Sequence, residues 1–486
     1  MHGHPTCSSG SPRFSRSPRL ALLAASLGFA IICLDVTVVN VALERIRQAL
    51  HVDAGQLEWV LNAYTLAFAS LLLSAGALGD RLGARRVFVT GFAVFTVASV
   101  ACGLASSAAA LIAARAVQGV GAALCVPASL ALLGATFPEP KARAKAVSIW
   151  AGTAALALGA GPLVGGVLVE RFGWPGIFLI NVPFGMAGIW LTLAHAPDTA
   201  RHASRRLDLA GQCLAAAALV ALTYAVMATG RHGWASPAVL GGFACFAACC
   251  ALFIVVERAQ RQPMLPLALF RVRAVSVSSL IGVVLNFGYY GLMFGMSLFF
   301  QSVRHASPLG AGLAFLPMTA IVAAANLVSG ALTARFGYRL PMIAGQALAA
   351  LGFLALSLIG AGSRSLMITA PMLAIGVGVA LAVPSINTAV LAHVDARDIG
   401  IASGVLNTAR QMGGALGVAV FGSLVAGTAG EMVDGLRVAV TIAGGAMAAG
   451  AVVALAGLRA AGSHDANDAH EARDVSVRSP AECTRG

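Results

Sequence analysis

Gly76-Ala77-Leu78-Gly79-Asp80-Arg81-Leu82-Gly83-Ala84-Arg85 returns 254 residues later as Gly330-Ala331-Leu332-Thr333-Ala334-Arg335-Phe336-Gly337-Tyr338-Arg339, identical at six of ten positions. A second pair, Gly119-Val120-Gly121…Leu124…Val126-Pro127 and Gly376-Val377-Gly378…Leu381…Val383-Pro384, is separated by 257. One such match in an Ala/Gly-rich chain carries little weight. Two at nearly one offset mark an internal duplication.

Both copies sit among long apolar runs. The chain has 486 residues, 58% of them apolar and 10% charged, with a mean hydropathy of +0.85. Roughly a quarter of a soluble domain's residues are charged, so this chain lacks the polar surface to live in water. That excludes a soluble enzyme, a nucleic-acid binder and a disordered scaffold. A bilayer span needs about 20 apolar residues. Fourteen runs qualify: 20–43, 58–79, 87–107, 110–134, 146–169, 175–195, 207–228, 237–257, 275–300, 309–334, 341–361, 367–392, 400–427 and 437–458. They are far longer than barrel strands and do not alternate. The first follows Arg16 and Arg19, as a signal peptide would, but continues past Asp35 to Leu43 and reads as an uncleaved helix.

The expected architecture is therefore an all-α polytopic membrane protein of fourteen transmembrane helices. Two parallel-related six-helix halves, 20–195 and 275–458, are joined by two extra spans within 196–274. A cytoplasmic tail, 1–19, precedes them, and a polar tail, 459–486, reads as disordered. Lys and Arg set the orientation. With the N-terminus inside, the cytoplasmic segments hold 23 of them and the opposite segments 7. Both termini are expected inside, and the net charge of +13 needs no nucleic acid to explain it. Parallel halves of this kind rock about a central site.

Nine cysteines without a C-x-x-C pair, most of them in apolar runs, argue against a disulfide framework and a zinc site. Among the acids, Asp35 alone lies well inside a run; Arg115 and Arg410 are the embedded bases. At 1.5 Å per residue, Asp35 and Arg115 lie about 12 Å and about 8 Å from the same end of their helices. They can meet. Burial raises a carboxyl pKa and a guanidinium lowers it, and a group so balanced can take up and release protons. The alternative is a fixed ion pair that ties two helices. Gln118 shares Arg115's helical face, either as its partner or as an interhelical bond.

Three further groups stand out. Gly76, Asp80, Arg81, Gly83 and Arg85 form a short loop: glycines for a tight turn and close approach, Asp80 for a helix N-terminus or a cation, arginines at the membrane surface. Gly161, Pro162 and Gly165 place a close-packing G-x-x-x-G face on a bent helix, as plain packing or as a seam between moving halves. Asn286 with Tyr290, Asn387, and Asn407 with Arg410 and Gln411 are polar positions in the second half. Singly they read as helix-to-helix bonds; together they suit the lining of a mainly apolar cavity. No nucleophile–base set supports an enzyme, and no G-x-x-x-x-G-K-[ST] loop supports ATP drive.

These residues resemble the Major Facilitator Superfamily, specifically its fourteen-helix drug:proton antiporters, over residues 20–458. The matching stretches are Leu34-Asp35-Val36-Thr37-Val38-Val39-Asn40-Val41-Ala42-Leu43, Gly76–Arg86, Arg115-x-x-Gln118-Gly119-x-Gly121, Gly161-Pro162-x-x-Gly165-Gly166, Ile177-Phe178-Leu179-Ile180-Asn181-Val182-Pro183 and Asn407-Thr408-Ala409-Arg410-Gln411. Glu44 stands where the first motif usually ends in Pro, and Pro175-Gly176 where Arg-Trp usually precedes Ile177. The resemblance implies proton coupling at Asp35 and Arg115, gating by the Asp80 loop, and exchange set by the Gly161–Gly166 helix. It adds Asn40, Gln118 and Asn181 to the candidate cavity. It implies a bacterial-type cytoplasmic membrane and no cofactor beyond a proton gradient. The expected partners are protons, lipid and hydrophobic or cationic small molecules, handled by a monomer. The competing expectations are an uptake or metabolite carrier and a lipid transporter without proton coupling.

Overall fold

The computed structural model describes residues 17–199, 208–260, 267–394, 399–425 and 428–458. The 1–16 and 459–486 tails and Arg201, Arg205 and Arg206 lie outside the described residues. Every described element is helical. In chain order these are α1 (Pro18–Leu50), α2 (Ala54–Leu82), α3 (Ala84–Gly103), α4 (Ala108–Thr136), α5 (Pro140–Phe172), α6 (Gly176–Leu179), α7 (Asn181–His195), α8 (Leu209–His232) and α9 (Pro237–Ala259). They continue with α10 (Arg273–Leu298), α11 (Pro308–Phe336), α12 (Arg339–Leu356), α13 (Ser365–Leu391), α14 (Ile399–Val425) and α15 (Ala429–Gly457). Short 3-10 and π turns cover Leu267–Arg271 and Phe299–Val303.

Among the described residues, 12 helices are long and apolar enough to cross a membrane. The helices α2 and α14, on the expected runs 58–79 and 400–427, are long but fall outside that set. The chain groups into two compact units, Met1–Met264 with Met296–Leu316, and Leu265–Gly295 with Pro317–Gly486.

Local chemistry sets the breaks. Asp53 opens α2 through a reciprocal capping box with Gln56. Ser107 accepts from the Ala110 N–H and separates α3 from α4 after an otherwise unbroken apolar run. Pro183 has no N–H to give the Leu179 carbonyl, and the sixth run accordingly splits into α6 and α7 at Ile180. The split places Asn181 at the first turn of α7. Pro162 lies inside α5, which runs through it.

The duplication is visible in the backbone. His51 and His305 both adopt φ 53°, and Gly83 and Gly337 adopt φ 93° and 72°. Each pair is 254 apart. A Cβ on Gly121 would lie 2.8 Å from the Gly91 carbonyl oxygen, and one on Gly91 would lie 2.9 Å from the Gly121 oxygen. Gly345 and Gly378 repeat this mutual approach between α12 and α13.

Candidate functional site

Close backbone contacts bring the polar residues of the first unit to one point. A Cβ on Gly119 would strike the Tyr64 carbonyl, so α4 lies directly on α2. Gly121 does the same against α3 at Phe95. Gly161 and Gly165 press α5 onto Thr37 and Val38 of α1, as the G-x-x-x-G spacing leads one to expect. Pro162 leaves the Leu158 carbonyl without its helical donor, and the Thr37 hydroxyl, 3.2 Å away, supplies one. The motif of α5 is therefore bonded to that of α1, two residues from Asp35.

Asp35 is 0% exposed and Arg115 1%. Arg115 Nη1 donates to Asp35 Oδ2 at 2.5 Å and to Gln118 Oε1 at 2.7 Å, while its Nε donates to the Val60 carbonyl at 3.1 Å. Its guanidinium carbon lies 4.3 Å from the Tyr64 ring centroid and 5.7 Å from that of Phe178, within cation–π range. Asp35 Oδ1 accepts from Gln118 Nε2 at 2.9 Å and Asn181 Nδ2 at 3.1 Å. Both amides also donate to Ser99 Oγ, at 2.8 and 3.1 Å, and Ser99 passes its own hydrogen to the Phe95 carbonyl. Cys102 Sγ lies 3.6 Å from Gln118 Oε1. Five helices thus enclose one dry carboxylate, with three N–H donors aimed at it.

Gln118 and Asn181, expected along a cavity wall, are instead 0% and 1% exposed and closed around Asp35. Asn40 is buried as well. Its amide bonds the Val36 and Thr37 carbonyls of its own helix, and its carbonyl accepts from Ser297 at 2.6 Å. Ser99, Cys102, Tyr64 and Phe178 join the site without individual sequence signals; only Phe178 falls inside a quoted motif.

The Gly76–Arg86 stretch is not a loop of several residues. Gly83 alone leaves helical geometry between α2 and α3. A Cβ on Gly76 or Gly79 would meet nothing within 4 Å, so these two glycines serve no close approach; the turn needs only Gly83. Arg85 reaches Asp198 at 2.7 Å and also the Leu193 carbonyl. The Ala84 N–H donates to Thr199 Oγ1 at 2.6 Å. The start of α3 is thereby fastened to the end of α7. Arg81 is exposed; the Asp80 side chain lies outside the described residues.

In the second unit, Asn286 is buried, Tyr290, Asn387, Arg410 and Gln411 are half-buried, and Asn407 is exposed, bonding the Ser403 carbonyl of its own helix. The Arg410 stem packs on Gly282 of α10, and the Tyr290 ring stands edge-on to Tyr289 at 5.5 Å. The described residues hold no group of three or more His, Cys, Asp or Glu that could bind a metal ion.

Residues 25–418 match the family model of the Major Facilitator Superfamily. The chain belongs to that superfamily. It is a multi-pass membrane transporter, not an enzyme. It is 38% identical over 412 residues to the multidrug resistance protein Stp of Mycobacterium tuberculosis (strain CDC 1551 / Oshkosh), covering 85% of this chain and 76% of Stp. It is 37% identical to the methylenomycin A resistance protein of Streptomyces coelicolor, covering 84% of this chain and 86% of that protein. A solved bacterial homologue of the human lysosomal transporter Spinster aligns with a TM-score of 0.64 at 17% identity, over 92% of this chain and 97% of that one. That likeness concerns the fold alone.

Proposed function

We propose that this superfamily member is a proton-coupled antiporter that exports hydrophobic or cationic drugs or antibiotics. Its relatives are named for multidrug and methylenomycin A resistance, which supports small-molecule export. The observation that carries the coupling is the dry Asp35–Arg115 pair with its two amides. An ionisable pair buried among membrane-spanning helices is the kind of group that serves as a proton relay. In this reading a proton from outside neutralises Asp35. The pair loosens, the halves rock inward, and the proton leaves as substrate loads from the cytoplasm or inner leaflet. Energy comes from the proton gradient, with no other cofactor.

The rest of the reading follows the sequence: fourteen spans in six, two and six, both termini in the cytoplasm of a bacterial-type inner membrane, no nucleic acid, and one complete pathway per chain. The Gly76–Arg85 motif takes part in the conformational switch, and the polar residues of α10, α13 and α14 line the substrate cavity.

The test uses vesicles with an imposed pH gradient, reconstituted with the protein or its Asp35→Asn variant and challenged with lipophilic drugs. Drug-dependent proton release by the unmodified protein alone supports antiport through Asp35. Equal release by both removes Asp35 from coupling. Full burial with every carboxylate bond made also fits a fixed tie between helices. In that case Asp35→Asn lowers stability while leaving the ratio of protons to drug unchanged.

A further inference from the structure

Asp35 is built to be charged, and that creates a difficulty for a residue that must also be neutral. All three polar hydrogens directed at it come from donors: Arg115 Nη1, Gln118 Nε2 and Asn181 Nδ2. A protonated carboxyl brings a hydrogen of its own and needs an acceptor, because a buried hydroxyl without one is costly. Arg115 cannot accept. Gln118 Oε1 already takes Arg115 Nη1 and the Cys102 thiol. Ser99 Oγ takes both amides. Of the two amides that reach Asp35, only Asn181 still has an acceptor to offer. Asn181 Oδ1 is fully buried and has no hydrogen-bond partner among the described residues.

We propose that Asn181 is the positioning residue that lets Asp35 occupy both protonation states, its amide donating to the carboxylate and turning over to accept from the carboxyl. The inference rests on the proton-coupling reading above. A half-turn about the last side-chain torsion exchanges Nδ2 for Oδ1, which then stands at about the 3.1 Å now spanned to Asp35 Oδ1 and to Ser99 Oγ. No backbone has to move. Both half-turns give up the donation to Ser99, but that of Gln118 would also set an N–H against the guanidinium it now accepts from.

The proton balance is simple. Hydronium delivers H⁺, one O–H bond forms on Asp35, water is left, and the reverse step releases the proton. Arg115 then loses its counter-charge but keeps the Val60 carbonyl, Gln118 Oε1 and the Tyr64 and Phe178 ring faces. The titratable groups beside Asp35 are Arg115 from α4 and Cys102 from α3, with Tyr64 of α2 lying against the guanidinium. The helices α5 and α7 carry titratable groups only toward their ends, and α6 carries none.

The test is infrared difference spectroscopy on reconstituted protein, between acidic and alkaline buffer, with and without ¹³C-asparagine. The carboxyl C=O band that disappears in Asp35→Asn belongs to Asp35. In the unmodified protein, an asparagine amide C=O band should shift together with it, and Asn181→Ser should remove that shift. In Asn181→Leu the Asp35 band should move to the higher frequency of a carboxyl without an acceptor. Drug-driven proton release should fall about tenfold, the size expected for one unsatisfied buried hydroxyl. Should Asn181→Leu not fold, the labelled-asparagine shift in the unmodified protein decides the matter alone. An Asp35 band that titrates with no asparagine shift, or that stays in place in Asn181→Leu, overturns the role of Asn181 and leaves coupling intact. No Asp35 band at either pH overturns coupling itself, and the inference with it.

Discussion

The two halves share a scaffold and differ in chemistry. Their matching positions follow from the duplication: 254 residues for α1–α3, 257 for α4, and 262 for α7, where Gly188 lies on Phe92 as Gly450 lies on Gln346. Carried across, Asp35, Ser99, Arg115, Gln118 and Asn181 correspond to Tyr289, Phe353, Met372, Ile375 and Ala443. All ten are buried. The positions that hold a charged cluster in the first half are therefore taken in the second by buried residues, none of them charged. The helix-packing plan makes no demand for Asp35; a hydrophobic filling satisfies it. A buried ion pair that could be replaced by packing is weak evidence of a stabilising role, and the retained charge points to function.

The largest effect that bears on this comparison is expected for Arg115→Met, which installs the second half's own residue. It leaves Asp35 buried without its cation, and thermal unfolding of the purified protein should show a loss of about 3–5 kcal/mol. The double variant Asp35→Leu/Arg115→Met should recover most of that loss while remaining inactive in drug-driven proton release. If the double variant is as unstable as the single one, the pair is structural and the comparison has been misread. The reciprocal change, Met372→Arg, should destabilise without conferring any transport.

Much of this was legible in the residues. The spans, the duplication, the common depth of Asp35 and Arg115, and the bond from Gln118 to Arg115 all follow from spacing along single helices. So does the Gly161–Gly165 face. What spacing along one helix cannot convey is which neighbour a polar residue meets across helices. Ser99 is a serine in an apolar run with no periodic mark, and Tyr64 reads as ordinary core until Arg115 lies over its ring. Asn181 was placeable in a motif, yet its position on Asp35 depends on the break that Pro183 makes before α7. The glycine count misled in the other direction: four glycines at 76, 79, 83 and 330 look alike in sequence, and only Gly83 bends the chain.

Intermediate effects test the shared scaffold. A Cβ on Gly121 would lie 2.5 Å from the Phe95 nitrogen, and one on Gly378 would lie 2.7 Å from the Ala349 nitrogen. Alanine at either site should cost about 1–3 kcal/mol by overpacking, with similar losses in the two halves when unfolding is followed by the same probe. Strongly unequal losses would show that the duplicated crossing is used differently. Somewhat smaller is Thr37→Val, which strands the Leu158 carbonyl beside Pro162. That should cost about 1 kcal/mol. In a Pro162→Ala background the N–H at 162 is restored, so the same Thr37→Val change should cost measurably less. A cycle with no coupling would mean that the hydroxyl does not serve the proline gap.

The smallest effects belong to Gly76 and Gly330, the first residues of the repeated segment. Both lie inside helices, α2 and α11, and a Cβ at either would meet no atom within 4 Å. Alanine should raise stability at each by roughly 0.5–1 kcal/mol, the amount a helix-interior glycine costs. Stability alone therefore gives no reason for glycine at these positions. Activity gives the sharper reading. If Gly76→Ala stabilises the protein but slows transport, the open space beside α2 is filled at another stage of the cycle, and the glycine is kept for that approach. If Gly330→Ala stabilises and transports normally, the two copies have diverged at the surface as they have around Asp35. If both variants transport normally, the glycines of the motif are dispensable apart from Gly83. Its φ of 93° lies where an added Cβ is strained, and Gly83→Ala should lose stability where Gly76→Ala gains it.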